Sequence, residues 1–192
     1  MFPIIEKDNF LSFDDCNILI EYQKSHSTND HSKWSLENHQ SNWDNRIFIC
    51  DNIDDDNVRT IIESIHYRTS ILCSKFYNEE YVYPEFSNLV YWGPGMRLGA
   101  HADNYWIDDP EKPHYTSHRD YSAVLYLNED YIGGRTFFLE DNYNVVPKIG
   151  KLILFTSGKD HIHGVNEVIS GSRYTMALWF TKTRDKLFKI SK

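Results

Sequence analysis

The chain of 192 residues is long enough for one domain with a sizeable core, and 41% hydrophobic with 15% aromatic residues argue against a disordered polypeptide. Twenty basic against 28 acidic residues leave a net charge of −8, which disfavours non-specific binding to nucleic-acid phosphates. Three cysteines, Cys16, Cys50 and Cys73, with no Cys-X-X-Cys spacing, argue against a disulfide framework or a zinc knuckle.

Buried free thiols in a reducing compartment are the expected state of those cysteines. The start, MFPIIEKDNFLSFDD, lacks the charged and apolar regions of a signal peptide, and no stretch approaches a membrane span. A soluble cytoplasmic protein with no membrane partner is therefore expected. There are no internal repeats and no Pro- or Ser-rich linker. The expectation is one domain over 1–192, with a mainly helical support over 1–80 and a β core over 81–192.

Ser12, followed three residues later by Asp15, resembles a capping box and opens a helix over 13–25, with Phe13, Cys16 and Ile20 on one face. The next stretch, 26–45, is polar and reads as loop, with His26, His31 and His39 solvated. RIFICDNI reads as a strand. Asp54 to Asp56 open a second helix, where Val58, Ile61, Ile62, Ile65, Thr69, Leu72 and Phe76 form an apolar stripe.

From residue 81 the pattern becomes EFSNLVYW, YSAVLYLN, GRTFFLE, KLILFT and RYTMALWF. These short β-branched and aromatic runs are separated by Gly, Asn and Asp turns. Many short strands at this spacing predict an antiparallel sandwich or jelly roll, with the N-terminal helices packed on one sheet. The class is α+β.

Chemistry enters at YWGPGMRLGAHADN. Residues i and i+2 of a strand share a face, so His101 and Asp103 can reach one metal. A facial triad needs a second histidine from a distant strand. His114 and His118 lie in a polar loop, while His161 and His163 both follow the strand KLILFT, so either can complete the set. Arg173 opens the strand RYTMALWF. A hairpin over EVISGS is expected to bring it into the same cavity from the neighbouring strand, where a planar guanidinium suits bidentate capture of a carboxylate. The plain alternative is a surface ion pair. Trp179 shares the strand face of Arg173 by parity, either as a cavity wall or as core.

The segment 91–180 resembles the prolyl 4-hydroxylase branch of the iron(II)/2-oxoglutarate dioxygenases. The likeness rests on Tyr91, His101-Ala102-Asp103, Tyr126-Leu127-Asn128, Gly133-Gly134-Arg135-Thr136-Phe137-Phe138, His163-Gly164-Val165 and Arg173, in that order. It implies a double-stranded β-helix (jelly roll) core and an iron(II) site built by His101, Asp103 and His163, and it selects His163 over His161. It implies Tyr91, Tyr126 and Thr136 around 2-oxoglutarate, with Arg173 on the C5 carboxylate. It further implies O2 and ascorbate as co-reactants and hydroxylation of prolyl residues in a peptide or protein, with release of succinate and CO2.

Segment 104–120 reads either as a substrate-covering loop or as a solvated insertion. The alternatives are the same chemistry on a free amino acid or other small molecule, and a non-catalytic metal-binding jelly roll. A nucleic-acid demethylase is disfavoured by the acidic balance.

Overall fold

The structure, a computed structural model, describes residues 3–26, 47–140 and 142–190. The loop expected over 26–45, with His31 and His39, lies outside the described residues apart from His26. Helix α1, Phe13–His26, begins as its sequence predicts. The Asp15 amide donates to Ser12 Oγ at 3.1 Å, and the Ser12 hydroxyl donates back to the Asp15 carboxylate at 2.7 Å. The buried face holds Cys16, Leu19, Ile20 and Tyr22, whereas Phe13 is exposed and outside the expected stripe.

Helix α2, Asp56–Tyr77, is capped by the Asp55 carboxylate, which accepts from the amides of Asn57 and Val58. Asn78, in the left-handed region at φ 55, ends it. Val58, Ile61, Ile62, Ile65 and Thr69 are buried as expected. In the last two turns Cys73 and Tyr77 take over; Leu72 is half-buried and Phe76 exposed. A step of four residues, not three, from Thr69 keeps the stripe on the face that the sheet covers. The three cysteines are buried free thiols, and burial pushes Cys16 and Cys50 up to about 12, so they are inert as nucleophiles.

Twelve strands are found among the described residues: β1 Ile5–Lys7, β2 Ile47–Ile49, β3 Tyr83–Trp92, β4 Leu98–His101, β5 Tyr121–Tyr126, β6 Ile132–Gly133, β7 Thr136–Phe138, β8 Tyr143–Asn144, β9 Leu152–Thr156, β10 His163–Val165, β11 Val168–Ser170 and β12 Arg173–Thr181. A six-stranded sheet runs β1-β9-β5-β12-β3-β2, a four-stranded sheet β4-β10-β7-β8, and a small pair β11-β6, all antiparallel. This is a double-stranded β-helix core with helices on the outer face of the larger sheet. The N-terminal part also supplies both edges of that sheet, β1 and β2, which the reading of 1–80 as helical support did not foresee.

The period of two divides the larger sheet. Leu89 on β3, Leu125 on β5, and Met176 and Leu178 on β12 join Ile62 and Ile65 of α2 in one core cluster. Burying each such side chain contributes about 1.5–3 kcal/mol. The alternate residues, Asn88 and Trp92 on β3, Ser122 and Val124 on β5, and Arg173, Thr175 and Trp179 on β12, face a cavity between the sheets. One bulge breaks this alternation. Trp179 pairs with Phe86 and Phe180 with Pro84, so Glu85 opposes no residue. Pro84 has no amide to keep the ladder regular there.

Candidate metal and cosubstrate site

His101 ends β4 and His163 begins β10, and the two are direct register partners with ring centroids 4.5 Å apart. Their approach depends on Gly164. A Cβ there would stand 2.5 Å from the Phe137 ring and 2.6 Å from the Leu98 carbonyl. Asp103 follows β4, with its carboxylate oxygens 3.5 Å from His101 Nε2 and 3.7 Å from His163 Nε2. One donor atom from each of the three lies within 4.8 Å of the others.

Each ligand is held from behind. Nδ1 of His101 bonds the Gly99 carbonyl and Nδ1 of His163 the His161 carbonyl, both at 3.0 Å. Only a protonated Nδ1 can donate to a carbonyl, so both Nε2 lone pairs face the common point. Ser122 Oγ donates to Asp103 Oδ2 at 2.6 Å and is bonded to Ser157 Oγ at 2.7 Å.

Burial alone would raise the Asp103 carboxyl. The imidazoles of His163 and His101, with the Ser122 hydroxyl, outweigh it and hold it well below the usual carboxylate range. Burial pushes His163 down to about 4, so it is neutral near pH 7. Burial alone would lower His101, but the Asp103 carboxylate outweighs it and raises the imidazole above its ordinary value, so a metal binding there would displace a proton. With that proton gone, two imidazole nitrogens and one carboxylate, leaving a face open, form the donor set of a facial triad. A closed structural zinc site would have a fourth Cys or His, and among the described residues the group has three members.

At the far end of the cavity, of about 360 Å3, stands Arg173, only 1% exposed. Its guanidinium lies 5.1 Å from the Trp92 ring and 5.4 Å from the Tyr126 ring. It reaches Thr175 Oγ1 and Thr136 Oγ1 at 3.3 Å each, and its Nε makes no hydrogen bond. No carboxylate pairs with it among the described residues. A buried cation with long bonds to neutral hydroxyls fits an anion that binds from the cavity.

Its placement follows from two motifs. Asn128 clamps the start of β12, donating to the Ser172 carbonyl and accepting from the Tyr174 amide, both at 2.7 Å. Gly134, at φ 59, leaves room where a Cβ would meet Arg173 Cδ at 3.1 Å.

The structure brings His101, Asp103, His163, Thr136, Arg173 and Trp179 around one cavity. Arg173 arrives from the sheet opposite His163, not from a neighbouring strand, because β10 pairs with β4 and β7 while β12 pairs with β3 and β5. Tyr126 lies beneath the cavity floor, fully buried, and donates to Thr136 Oγ1 at 2.6 Å. It therefore acts on the pocket through Thr136.

Tyr91 is a correction. It shares the helix-side parity of Leu89 and packs edge-on against Tyr174 at 5.2 Å, so Trp92 takes the cavity position beside Arg173. A one-residue difference in register exchanges the two faces of a strand. His161 is buried and bonded through Nδ1 to Thr156, so it supports His163 through its carbonyl and is not in the ligand group.

Segment 104–120 is fixed beside the cavity mouth. Thr116 Oγ1 donates to the Asp103 carbonyl at 2.6 Å, and Trp106, His114 and Tyr115 pack together. Arg119 lies 4.3 Å over the Trp179 ring, its Nε donating to Glu85 at 2.8 Å, while His118 bonds the other Glu85 oxygen at 2.9 Å. The bulge therefore turns Glu85 toward the mouth. Trp92, Ser122, Asn88, Glu85 and Arg119 escaped the sequence reading. Strand parity could have found Trp92 and Asn88, Pro84 hints at the bulge beside Glu85, and no sequence signal marks Ser122 or Arg119.

The sequence pattern of the 2OG-Fe(II) oxygenase superfamily matches residues 86–181, half of the chain. Prolyl 3-hydroxylase 2 of Homo sapiens is 45% identical over 92 residues, covering 42% of this chain and 13% of that protein. The chain thus matches about one eighth of that curated relative. The crystal structure of a viral collagen prolyl hydroxylase from Paramecium Bursaria Chlorella virus-1, bound to 2-oxoglutarate, superposes with a TM-score of 0.71 at 19% identity, over 94% of this chain and 96% of that one. A prolyl hydroxylase from Trichoplax adhaerens, in complex with a hypoxia inducible factor peptide fragment, gives 0.67 at 18%, over 97% and 86%. These two likenesses show the fold.

Proposed function

The chain belongs to the 2OG-Fe(II) oxygenase superfamily, and on that premise we propose that it hydroxylates prolyl residues in a peptide or protein. The observation that carries this reading is the pair of cavity ends, an open His101–Asp103–His163 set facing a buried Arg173 with no acidic partner among the described residues. The prolyl substrate class rests on the relative named a prolyl 3-hydroxylase and on the neighbour that holds a peptide fragment. A cytoplasmic setting remains part of the proposal.

The residues present fit iron(II) and 2-oxoglutarate. His101 and His163 offer Nε2 lone pairs because their Nδ1 protons are engaged by carbonyls. Asp103 stays ionised and is oriented by Ser122. Arg173 would hold the C5 carboxylate. Thr136 Oγ1 accepts from both Tyr126 and Arg173, which leaves its own proton to donate to the same carboxylate. When bound, iron(II) with 2-oxoglutarate and O2 supplies the oxidation, placing one oxygen atom in a C–H bond and the other in succinate as CO2 leaves. Trp179 and Phe86, packed 6.0 Å apart, wall the side where a target ring enters, and Arg119 with Tyr115 borders the mouth. Ascorbate is proposed to keep the iron reduced.

The test is succinate formation from 2-oxoglutarate with iron(II), ascorbate and air, with and without a Pro-rich peptide. Peptide-stimulated succinate and a peptide mass gain of one oxygen are expected, both absent in His163→Ala. Analysis of the product reads the ring position, the 3-position in the relative's name or the 4-position of the resemblance. Succinate indifferent to peptide would move the substrate to a small molecule. Failure to bind both iron and 2-oxoglutarate would remove the catalytic reading.

A further inference from the structure

A second groove, of about 930 Å3, lies between α2, the residues that lead into β3 and the C-terminal segment 188–190. It shares no residue with the metal cavity, yet the two meet on β3, where Pro84 lines the groove, Phe86 lines the cavity and Glu85 stands between them. Its apolar side chains are open to solvent: Tyr67 is 68% exposed, Tyr81 61% and Ile71 48%. Large apolar side chains gathered on one exposed surface mark a place where something binds. The charges around them are mixed, Glu63, Glu79 and Glu80 against Lys75 and Lys189, and Glu79 is already bonded to Tyr121 and Lys182. Such a surface carries no strong field of one sign, so it suits an uncharged chain.

The groove is tied to the cavity through aromatic rings. The Phe188 amide donates to the Pro84 carbonyl at 2.8 Å, which fixes the C-terminal segment beside β3. The Phe188 ring meets Phe86 edge-on at 5.8 Å, and Phe86 packs against Trp179 at 6.0 Å. All three residues are half-buried. A strip of aromatic side chains thus runs from the cavity wall to the groove, where Tyr83 and Tyr81 stack at 6.3 Å. A polyproline II chain rises about 3.1 Å per residue, so about four residues cover the two ring spacings. Such a chain is extended before it binds, and aromatic-lined grooves receive it at little entropic cost.

We propose that this groove is an exosite for the substrate chain. A Pro-rich stretch on one side of the target prolyl runs along Phe86 and Phe188 and docks on Tyr67, Ile71 and Tyr81. This rests on the prolyl reading above. Continuity identifies the occupant: a peptide whose target ring enters beside Trp179 and Phe86 has one arm at the start of the strip, and the strip leads to the groove. The groove holds the chain and touches none of the reacting atoms, so it acts on the affinity for long substrates and not on the chemical step.

The test compares two Pro-rich peptides built around one target ring, at saturating iron(II) and 2-oxoglutarate. One has about five residues and the other about fifteen, enough at about 3.1 Å per residue to reach the groove from either side of the target. In wild type the longer peptide is expected to have a KM roughly tenfold below that of the shorter, the scale of one interface aromatic, with a similar kcat. The double variant Tyr67→Ser, Tyr81→Ser should bring that ratio to about one, with the short-peptide KM and the Tm unchanged because both side chains are exposed. A ratio near one in wild type, or one that survives in the double variant, overturns the inference and leaves the prolyl reading standing. A lower Tm with the ratio intact would assign the groove to another segment of this chain. A dimer seen by sedimentation and lost in the variant, with the ratio intact, would assign it to a second copy, and either result overturns the inference. If neither peptide is oxidised or bound, the prolyl reading falls and this inference with it.

Discussion

The two ends of the cavity solve opposite electrostatic problems. At the metal end the Asp103 carboxylate is surrounded by two imidazoles and a serine hydroxyl, and each imidazole is held by a backbone carbonyl. At the other end the Arg173 guanidinium is buried against Trp92, Tyr126 and two threonine hydroxyls, with no acid beside it among the described residues. The first end is organised before any ligand arrives. The second stores an uncompensated charge that only an incoming anion relieves. Geometry is invested where a metal must be oriented, and unpaired charge where a small dianion must be captured.

Arg173→Leu breaks the comparison most directly. An unpaired buried charge destabilises a fold, so the variant without ligands should melt at or above the wild-type temperature. Its response to 2-oxoglutarate should vanish. Wild type with iron(II) and no oxygen gains about 2.7 kcal/mol at a hundredfold excess over Kd, and the variant should gain almost nothing. Loss of a charge-assisted contact of about 1.5–3 kcal/mol raises the 2-oxoglutarate KM roughly 10- to 150-fold. A variant that melts lower, with an unchanged KM, would make Arg173 a structural residue.

Ser122→Ala probes the preorganised end. It removes the hydroxyl that orients Asp103 but leaves all three ligands in place. Outer partners of this kind are worth about 10- to 100-fold in metal affinity. The apparent iron affinity should fall within that range while the KM for 2-oxoglutarate at saturating iron holds. Equal losses in both would mean that the two ends are not independent.

How much of this was readable in advance differs by level. The α2 stripe, the five main strands and the His101, Asp103 and His163 ligands follow from local periodicity and ordered motifs. The partition into sheets does not, since nothing local says that β10 joins β4 and β7 while Arg173 ten residues later joins β3 and β5. Tyr91 was misplaced because two adjacent aromatics, Tyr91 and Trp92, compete for one strand face, and parity is set by pairing. Ser122 looks like any strand serine until the fold places Asp103 over it. Glu85 reaches the mouth only through a bulge whose sole trace in sequence is Pro84. The missed residues share a cause, for each owes its role to a long-range neighbour.

The smallest effect on the cavity is expected behind the sheet. His66 of α2 is buried, its Nε2 bonded at 2.9 Å to Ser87 Oγ on the helix face of β3, next to Asn88. Burial pushes its pKa down from 6.5 to about 4. The folded state therefore keeps His66 neutral, while the unfolded chain takes up a proton as pH falls below 6.5. Its contribution is complete above pH 6.5 and is lost as the pH falls toward 4, by roughly 3 kcal/mol at about 1.36 kcal/mol per pH unit. Denaturant unfolding of wild type and His66→Gln across pH 7 to 4 isolates this group, because the other histidines cancel in the difference. The variant curve should be flatter by that amount, with the KM for 2-oxoglutarate at pH 7 the same in both. A shift in that KM would show that the helix face of β3 is coupled to the cavity face, and that the cavity's electrostatics extend through the sheet.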